Sequence, residues 1–463
     1  MKTTLSTVKY FLSAMTISVV LSACGNLLNF EPITQIDGST DLKTGLAVNI
    51  ALNGAYDGLS GRYVWGGETA CYSDLLAEEG DIRFRGTFSY MADMWRRDMN
   101  TLSAGASEPW LDGYRAINRA NRILTVIDTL PSAERASVRG QALFIRAATY
   151  FEMVKMFGKA WGDGDNNANP AVPLLLTPST LFETGIVTDA QKPARNSVAE
   201  VYAQIVKDLT DAEGFLPANS DATRANKATA AALLSRVYLL QGNFVGARDA
   251  ANRVIANTRY SPAATFLECF REELPGFTTE TIFRIPVTEQ DGVNQLQVFY
   301  GAAPGGRRDF EILAAHLNRY ETGDVRRSFF FTVGRRLSNK WAPQFGDIPV
   351  IRISEMYLTR AECNVRLGTE VGAKPAADVN RIRRRANIPE LTDATATLAA
   401  ILKERSNELA FEGHWLQDKK RTRSNIVTAT ATYPFNSDKL VFPIPNREII
   451  ANSNLKQNPS YID

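Results

Sequence analysis

Residues 231–255 read AALLSRVYLLQGNFVGARDAANRVI. Gly242 divides this stretch into two segments of helical periodicity. Leu234, Ser235 and Tyr238 precede the glycine; Ala247, Ala251 and Val254 follow it. Small residues at those points let two antiparallel helices approach closely. The stretch therefore predicts a helical hairpin, and a chain built from such units is mostly α.

The spacing resembles a tetratricopeptide (TPR) unit. A second, partial unit stands at 354–385, where Ala361 and Gly368 take the equivalent positions. No fixed period of 34 residues links the two, so TPR-like helix pairs with large insertions fit better than a regular solenoid. Other helical segments surround them. Ala47 to Leu59 and Trp110 to Ile127 carry apolar residues on one face. Gln141 to Phe157 is apolar nearly all round, as a buried helix requires. Ser197-Val198-Ala199-Glu200 is a capping box ahead of a further helix. Between about 260 and 350 Pro, Gly and aromatic residues become frequent. There TIFRIPV (281–287), and later KLVFPIP (439–445), read as short strands or extended segments. Helical patterning resumes at Ile353 to Leu367, Ala376 to Ala386 and Leu398 to Phe411.

The N-terminus has a different character. Lys2 and Lys9 precede an apolar run from Tyr10 to Leu21, too short to span a hydrocarbon core. It fits the apolar region of a secretory signal. Leu21-Ser22-Ala23-Cys24 then resembles the lipobox of bacterial lipoproteins. That resemblance implies a signal peptide at 1–23 and acyl chains, palmitate among them, on Cys24. Residues 24–45 are expected as a lipidated tether, polar and aperiodic from Asn26 to Lys43. Multiple acyl chains hold a protein on a bilayer without any spanning helix. The net charge of +2 gives no reason to expect nucleic acid. Cys71, Cys269 and Cys363 remain after Cys24, with no CxxC pair. An exported chain of this size needs no disulfide for its core, so three buried free thiols are expected, with one bridge as the alternative.

The C-terminal segments SEMYLTRAECNVRLG (354–368), ADVNRIRRRANIPELT (377–392), ILKERSNELAFEGHWLQDKKR (401–421) and FPIPNREIIANSNLKQNPSY (442–461) resemble the SusD/RagB family. LNGAYDGL (52–59), WLDGYRAINRANRIL (110–124) and ALFIRAATYFEMVKMFG (142–158) are similar in the first half. The resemblance covers nearly the whole mature chain. It implies two halves, 46–270 and 271–463, packed as one globule of SusD-like fold. It also implies an outer-membrane lipoprotein of Bacteroidetes that captures a nutrient, oligosaccharide or peptide. The implied partner is a SusC-like TonB-dependent outer-membrane transporter. Two departures stand out. Trp415 and Leu416 occupy the positions of the family's usual Arg-Trp pair, and the loop 158–175 is longer than usual.

Motifs for chemistry are weak. Asp163-Gly164-Asp165-Asn166-Asn167 begins like a calcium loop, but Ala168 and Leu174 break the pattern, so no metal is expected there. His316 and His414 lack HExxH spacing, and no GxSxG occurs. No catalytic residue and no cofactor are assigned, and nothing selects an acid–base pair among the carboxylates. The arginines at 381 and 383–385 spread round a helix, with Glu404, Glu408 and Glu412 as partners for some of them. A glycan-degrading enzyme or a structural surface protein is the alternative from another class.

Aromatic–polar mixtures are the best hint of binding. IRFRGTFSYMADMWRRDMN (82–100) interleaves Phe84, Phe88, Tyr90 and Trp95 with Arg83, Arg85 and Asn100. Tyr63 and Trp65 lie just upstream; Phe299, Tyr300, Phe329 to Phe331 and Trp341 form a second group. Sugar rings rest C–H faces on aromatic planes and need placed polar partners for their hydroxyls. The candidate ligand-binding residues are Trp65, Arg83, Tyr90, Trp95, Asn100, Tyr300 and Trp341. For any one of these rings, plugging the core under an irregular segment is the favoured competing role.

Overall fold

Thr44 opens the first described helix: its hydroxyl accepts from the Ala47 backbone N–H at 3.2 Å, and α1 follows over Gly45–Ser60. The computed structural model describes Leu42 and residues 44–179, 192–290 and 292–462. The signal peptide, Cys24 and nearly all of the tether expected from the sequence lie outside these residues. Next come α2 (Glu68–Ala77), the strand β1 (Ile82–Phe84), α3 (Ser89–Arg96), α4 (Ala104–Thr125) and α5 (Ser132–Phe157). Helix α5 starts nine residues before the apolar run. Residues 132–136 are exposed, so their sequence carries no apolar period.

The capping box closes as its residues dictate. The Ser197 hydroxyl accepts from Glu200 N–H at 3.2 Å, while the Glu200 carboxylate accepts from Ser197 N–H at 2.8 Å. Helix α6 (Val198–Phe215) begins there, followed by α7 (Lys227–Leu240) and α8 (Phe244–Ile255). Gly242 turns between α7 and α8 with φ 70°, a conformation that costs glycine little. Small residues do bring the two helices together: Ser235 Oγ donates to the Ala247 carbonyl across them at 2.9 Å.

The middle of the chain is short elements: α9 (Pro275–Glu280), β2 (Thr281–Ile285), α10 (Gln295–Tyr300), β3 (Phe310–Ile312), α11 (Ala314–Leu317), β4 (Phe330–Val333), β5 (Arg335–Ser338) and β6 (Ile348–Arg352). They pair antiparallel as β1–β3, β2–β6 and β4–β5. Then α12 (Ile353–Leu367), α13 (Pro375–Arg385), α14 (Leu398–Glu408) and α15 (Trp415–Arg421) restore helical structure, before the ribbon β7–β8 (Ile426–Val427, Thr432–Tyr433) and α16 (Asn446–Ala451). The KLVFPIP segment is extended from Val441 rather than paired as a strand.

Neighbouring helices pack in a continuous series, α1–α4–α5–α6–α7–α8–α12, with α13 and α14 both on α12. The step from α8 to α12 skips the irregular middle. Leu239, Ala247 and Cys363 fill that joint with no more than 1% exposure. Leu358, Ala361, Val379, Ile382 and Ile401 fill the next one. The chain is thus helical-repeat in character, with helix pairs from both halves stacked together. Cys71, Cys269 and Cys363 are free and buried. Among the described residues no helix is long and apolar enough to cross a membrane.

The basic run on α13 is largely consumed internally. Arg383 meets Glu404 at 3.0 Å and Arg385 meets Glu408 at 2.5 Å. Arg384 pairs with Glu390 at the surface, and Arg381 lies 5.1 Å from the Tyr357 ring centre.

Candidate functional site

Three helices, a turn and a loop converge on one open cleft. On α14, Leu402, Lys403 and Ser406 share a face, continued by Leu409. On α15, Trp415, Asp418, Lys419 and Thr422 recur at helical spacing and therefore point the same way. Ala315 and Arg319 come from α11 and the turn after it, and Glu79 and Asp81 from the loop between α2 and β1. The cleft encloses about 500 Å³, within the range of small-ligand sites.

Its centre is a layered pair. The Arg319 guanidinium carbon lies 3.6 Å from the centre of the Trp415 ring. Arg319 is held from its other side: Nη2 donates to Ser406 Oγ at 2.8 Å, and Nη1 stands 3.5 Å from Asp81 Oδ2. Burial alone would raise the Asp81 carboxyl, but buried His316 and Arg319 outweigh it and hold the group below the ordinary range. Burial pushes the His316 imidazole down, against the pull of Asp81. The result is an ionised carboxylate that fixes the Arg319 fork.

The rim offers polar groups at several heights. Lys419 pairs with Glu79 at 2.5 Å, and the Thr422 and Ser424 hydroxyls lie 2.9 Å apart. Lys403 is exposed and forms no ion pair among the described residues. His414 lines the cleft and also a smaller inner cavity of about 70 Å³. Burial, with Arg236 and Arg405 nearby, holds its imidazole well below the usual range. A neutral imidazole carries one donor and one acceptor. An indole layered with a guanidinium, ringed by hydroxyls, ammonium groups and a neutral histidine, can take an apolar ring face and several hydroxyls together.

None of the seven candidates from the sequence lines this cleft. Trp65 is 4% exposed, with its Nε1 donating to Glu152 at 2.9 Å and its ring edge against Phe283. Tyr90 is buried beside Glu68 and Tyr72. Tyr300 is buried, its hydroxyl donating to Asp74 at 2.7 Å. Trp341 is 3% exposed, edge-on to Phe270. These four rings fill the interior beneath irregular segments, because a large ring gains most from leaving water. Trp65 and Trp341 nonetheless line the inner cavity of about 70 Å³ that His414 also borders, whereas Tyr90 and Tyr300 line neither that cavity nor the cleft. Trp95 is partly exposed on α3, and exposed Asn100 accepts from Leu102 N–H at 3.0 Å. Arg83 is exposed on β1, two residues beyond Asp81 of the cleft wall. Arg319, Lys403, His414 and Trp415 line the cleft and were not among the candidates from the sequence. One signal did exist: Trp415 breaks the family's usual Arg-Trp pattern at that point.

The scaffold is a helical repeat that carries an open aromatic and polar cleft. Residues 76–239 match a family described as "Starch-binding associating with outer membrane", and residues 337–461 match the SusD family. SusD-like protein P2 of Formosa agariphila is 25% identical over 98% of this chain and all of its own length. The starch-binding protein SusD of Bacteroides thetaiotaomicron is 27% identical over 41% of this chain and 35% of its own. A SusD superfamily structure from Bacteroides vulgatus superposes with a TM-score of 0.79 at 25% identity, covering 90% of this chain and 99% of that one. The chain belongs to the SusD/RagB family.

Proposed function

We propose that this protein captures an oligosaccharide nutrient at the outer membrane and delivers it, without chemistry, to a TonB-dependent barrel resembling SusC. The observation that carries the reading is the cleft, where the Trp415 indole and the Arg319 guanidinium lie 3.6 Å apart amid hydroxyl and ammonium groups. The family's description as starch-binding and outer-membrane-associated supports it. Acylation at Cys24 anchors the chain and leaves the body facing outward on its tether.

The test is a glycan and peptide binding array on the purified protein, with product analysis of each bound glycan. Binding of oligosaccharides without turnover is expected. Product formation would make the protein an enzyme, and capture of peptides alone would make it a peptide receptor. Cys24→Ala should release the protein from the membrane fraction, since every acyl chain attaches there. Mild-detergent purification from the native membrane should recover a stoichiometric barrel; recovery of this protein alone would remove the delivery step.

A further inference from the structure

Beside the cleft, the β1–β3 pair and the neighbouring β5 carry several arginines. Arg83 stands opposite Glu311 in the β1–β3 pair, while Ile82, Phe84, Phe310 and Ile312 are buried. Alternation along a strand therefore turns Arg83 outward. Arg85 reaches the same face and meets Glu311 at 2.9 Å. Arg307 meets Asp309 at 2.9 Å. Arg335 and Arg336, from β5, donate only to the backbone carbonyls of Arg308 and Ile312, at 3.1 and 3.4 Å. Arg83 and Arg308 form no ion pair among the described residues. Four guanidinium groups around β1, β3 and β5, those of Arg83, Arg308, Arg335 and Arg336, thus form no ion pair among the described residues, while Arg85 and Arg307 meet Glu311 and Asp309; Arg335 and Arg336, consecutive on β5, leave it on opposite sides. The excess of four charges exceeds the formal charge of +2 on the entire chain. Guanidinium groups keep their charge at every physiological pH.

An uncompensated cluster repels itself and is costly without an anionic partner. The choice of arginine matters, because its planar fork grips carboxylate and sulfate oxygens two at a time. A ring sits among the charges. Partly exposed Phe88 has the Arg307 guanidinium 4.6 Å from its centre and that of Arg62 at 5.8 Å. Arg307 also donates to Thr87 Oγ1 at 2.9 Å. The strands connect this surface to the cleft. Asp81 of the cleft wall directly precedes β1, its carbonyl accepts from Leu313 N–H at 2.8 Å, and Ala315 of the cleft wall follows β3. Two residues of strand separate Asp81 from Arg83, about 7 Å at the usual rise. A chain lying along β1 and β3 would leave one sugar at Trp415 and carry its next substituents over the arginines.

We infer that the cargo is an acidic polysaccharide, whose carboxylate or sulfate groups are held by the arginines of the β1–β3–β5 surface. The inference rests on the glycan-capture reading and narrows it to a charge class. Neutral glycan gives this surface nothing to neutralise. Nucleic acid would want exposed aromatic planes for its bases, whereas Phe88 is already flanked by two guanidinium groups.

Isothermal titration of the full-length protein would test it, with polygalacturonate, dextran sulfate, neutral laminarin and single-stranded DNA as probes at low and physiological ionic strength. At least one acidic polysaccharide should bind about tenfold or more tighter than laminarin, with the margin shrinking as salt rises. Arg83→Ala, and separately Arg335→Ala with Arg336→Ala, should erase the margin while the thermal midpoint stays in place. Arg83→Ala is the safer arm, since that side chain is exposed and makes no ion pair. Equal binding of acidic and neutral glycans, or a margin untouched by the substitutions, would overturn the inference and leave glycan capture standing. Absence of binding to any polysaccharide would overturn both. DNA bound as tightly as the acidic polysaccharide would reduce the surface to a general polyanion patch and overturn the inference.

Discussion

Arg352 and Glu408 hold each other at 2.9 Å where neither side chain is more than 1% exposed. Glu408 also meets Arg326 at 3.2 Å and Arg385 at 2.5 Å, so one carboxylate joins β6, α13, α14 and the turn before β4. Removing it takes one carboxylate from each of three buried cations, which keep Asp324, Glu404, Glu280 and Glu412 among them. Breaking a buried pair from one side costs roughly 3–5 kcal/mol. Glu408→Ala should lose about that much stability in urea denaturation. A loss of under about 1 kcal/mol would mean that the surrounding carboxylates Glu280, Glu404 and Glu412 already suffice.

Acid should unfold the protein through this same network. Burial alone would raise the carboxyls of Glu280, Glu355, Glu362 and Glu408, but adjacent arginines outweigh it and hold all four below the ordinary range. Asp418 is brought down to about 2 by Arg405 and Arg421 against the opposing effect of burial. A carboxyl with a lower pKa folded than unfolded contributes stability above its unfolded value and loses it as pH falls through the folded one. Stability should therefore decline from near the model-peptide value of 4.5 for Glu down to about 2. Urea midpoints measured across that window check it; a flat profile would contradict the pairing.

Asp74 should act in the opposite direction. Burial pushes its carboxyl up to about 8, against the Tyr300 hydroxyl that donates to it at 2.7 Å. A carboxyl raised on folding costs stability as pH climbs from its unfolded value to its folded one. Asp74→Asn keeps an oxygen for Tyr300 and has nothing to ionise. The variant should match wild type near pH 4 and exceed it increasingly up to about pH 8. Parallel thermal melts at both ends of that range would show it, and a constant difference would place the effect elsewhere.

The helices were legible because their signals are local. Ser197 and Glu200, and Gly242 between two small-residue faces, state their roles within a few residues. Ala361 and Gly368 do the same one unit later, and Gly368 does end α12 with φ 62°. The cleft was less legible because no local pattern assembles it: Asp81, Arg319, Ser406 and Trp415 meet only through packing of distant elements. Aromatic clustering pointed toward rings such as Trp65 and Tyr300, yet composition cannot say which face of an irregular segment turns inward. The departure at Trp415 was visible but had no meaning until Arg319 was seen lying on it.

Trp341 and Trp415 should separate core from site. Trp341 is 3% exposed and packs edge-on to Phe270 at 5.5 Å, with Lys340 beside it. Truncating a buried tryptophan costs roughly 3–5 kcal/mol. Trp341→Ala should therefore lower the melting temperature sharply, and weaken glycan binding only as far as folding fails. Trp415 is partly exposed on the cleft wall and carries Arg319 on its face. Trp415→Ala removes the ring a sugar would rest on and frees the guanidinium to wander. Binding of the best oligosaccharide should weaken by about tenfold or more, with the melting temperature changed by only a few degrees. Thermal melts and titrations on both variants decide between the two roles. If Trp415→Ala melts early but binds normally whenever folded, the cleft is structural and the cargo sits elsewhere.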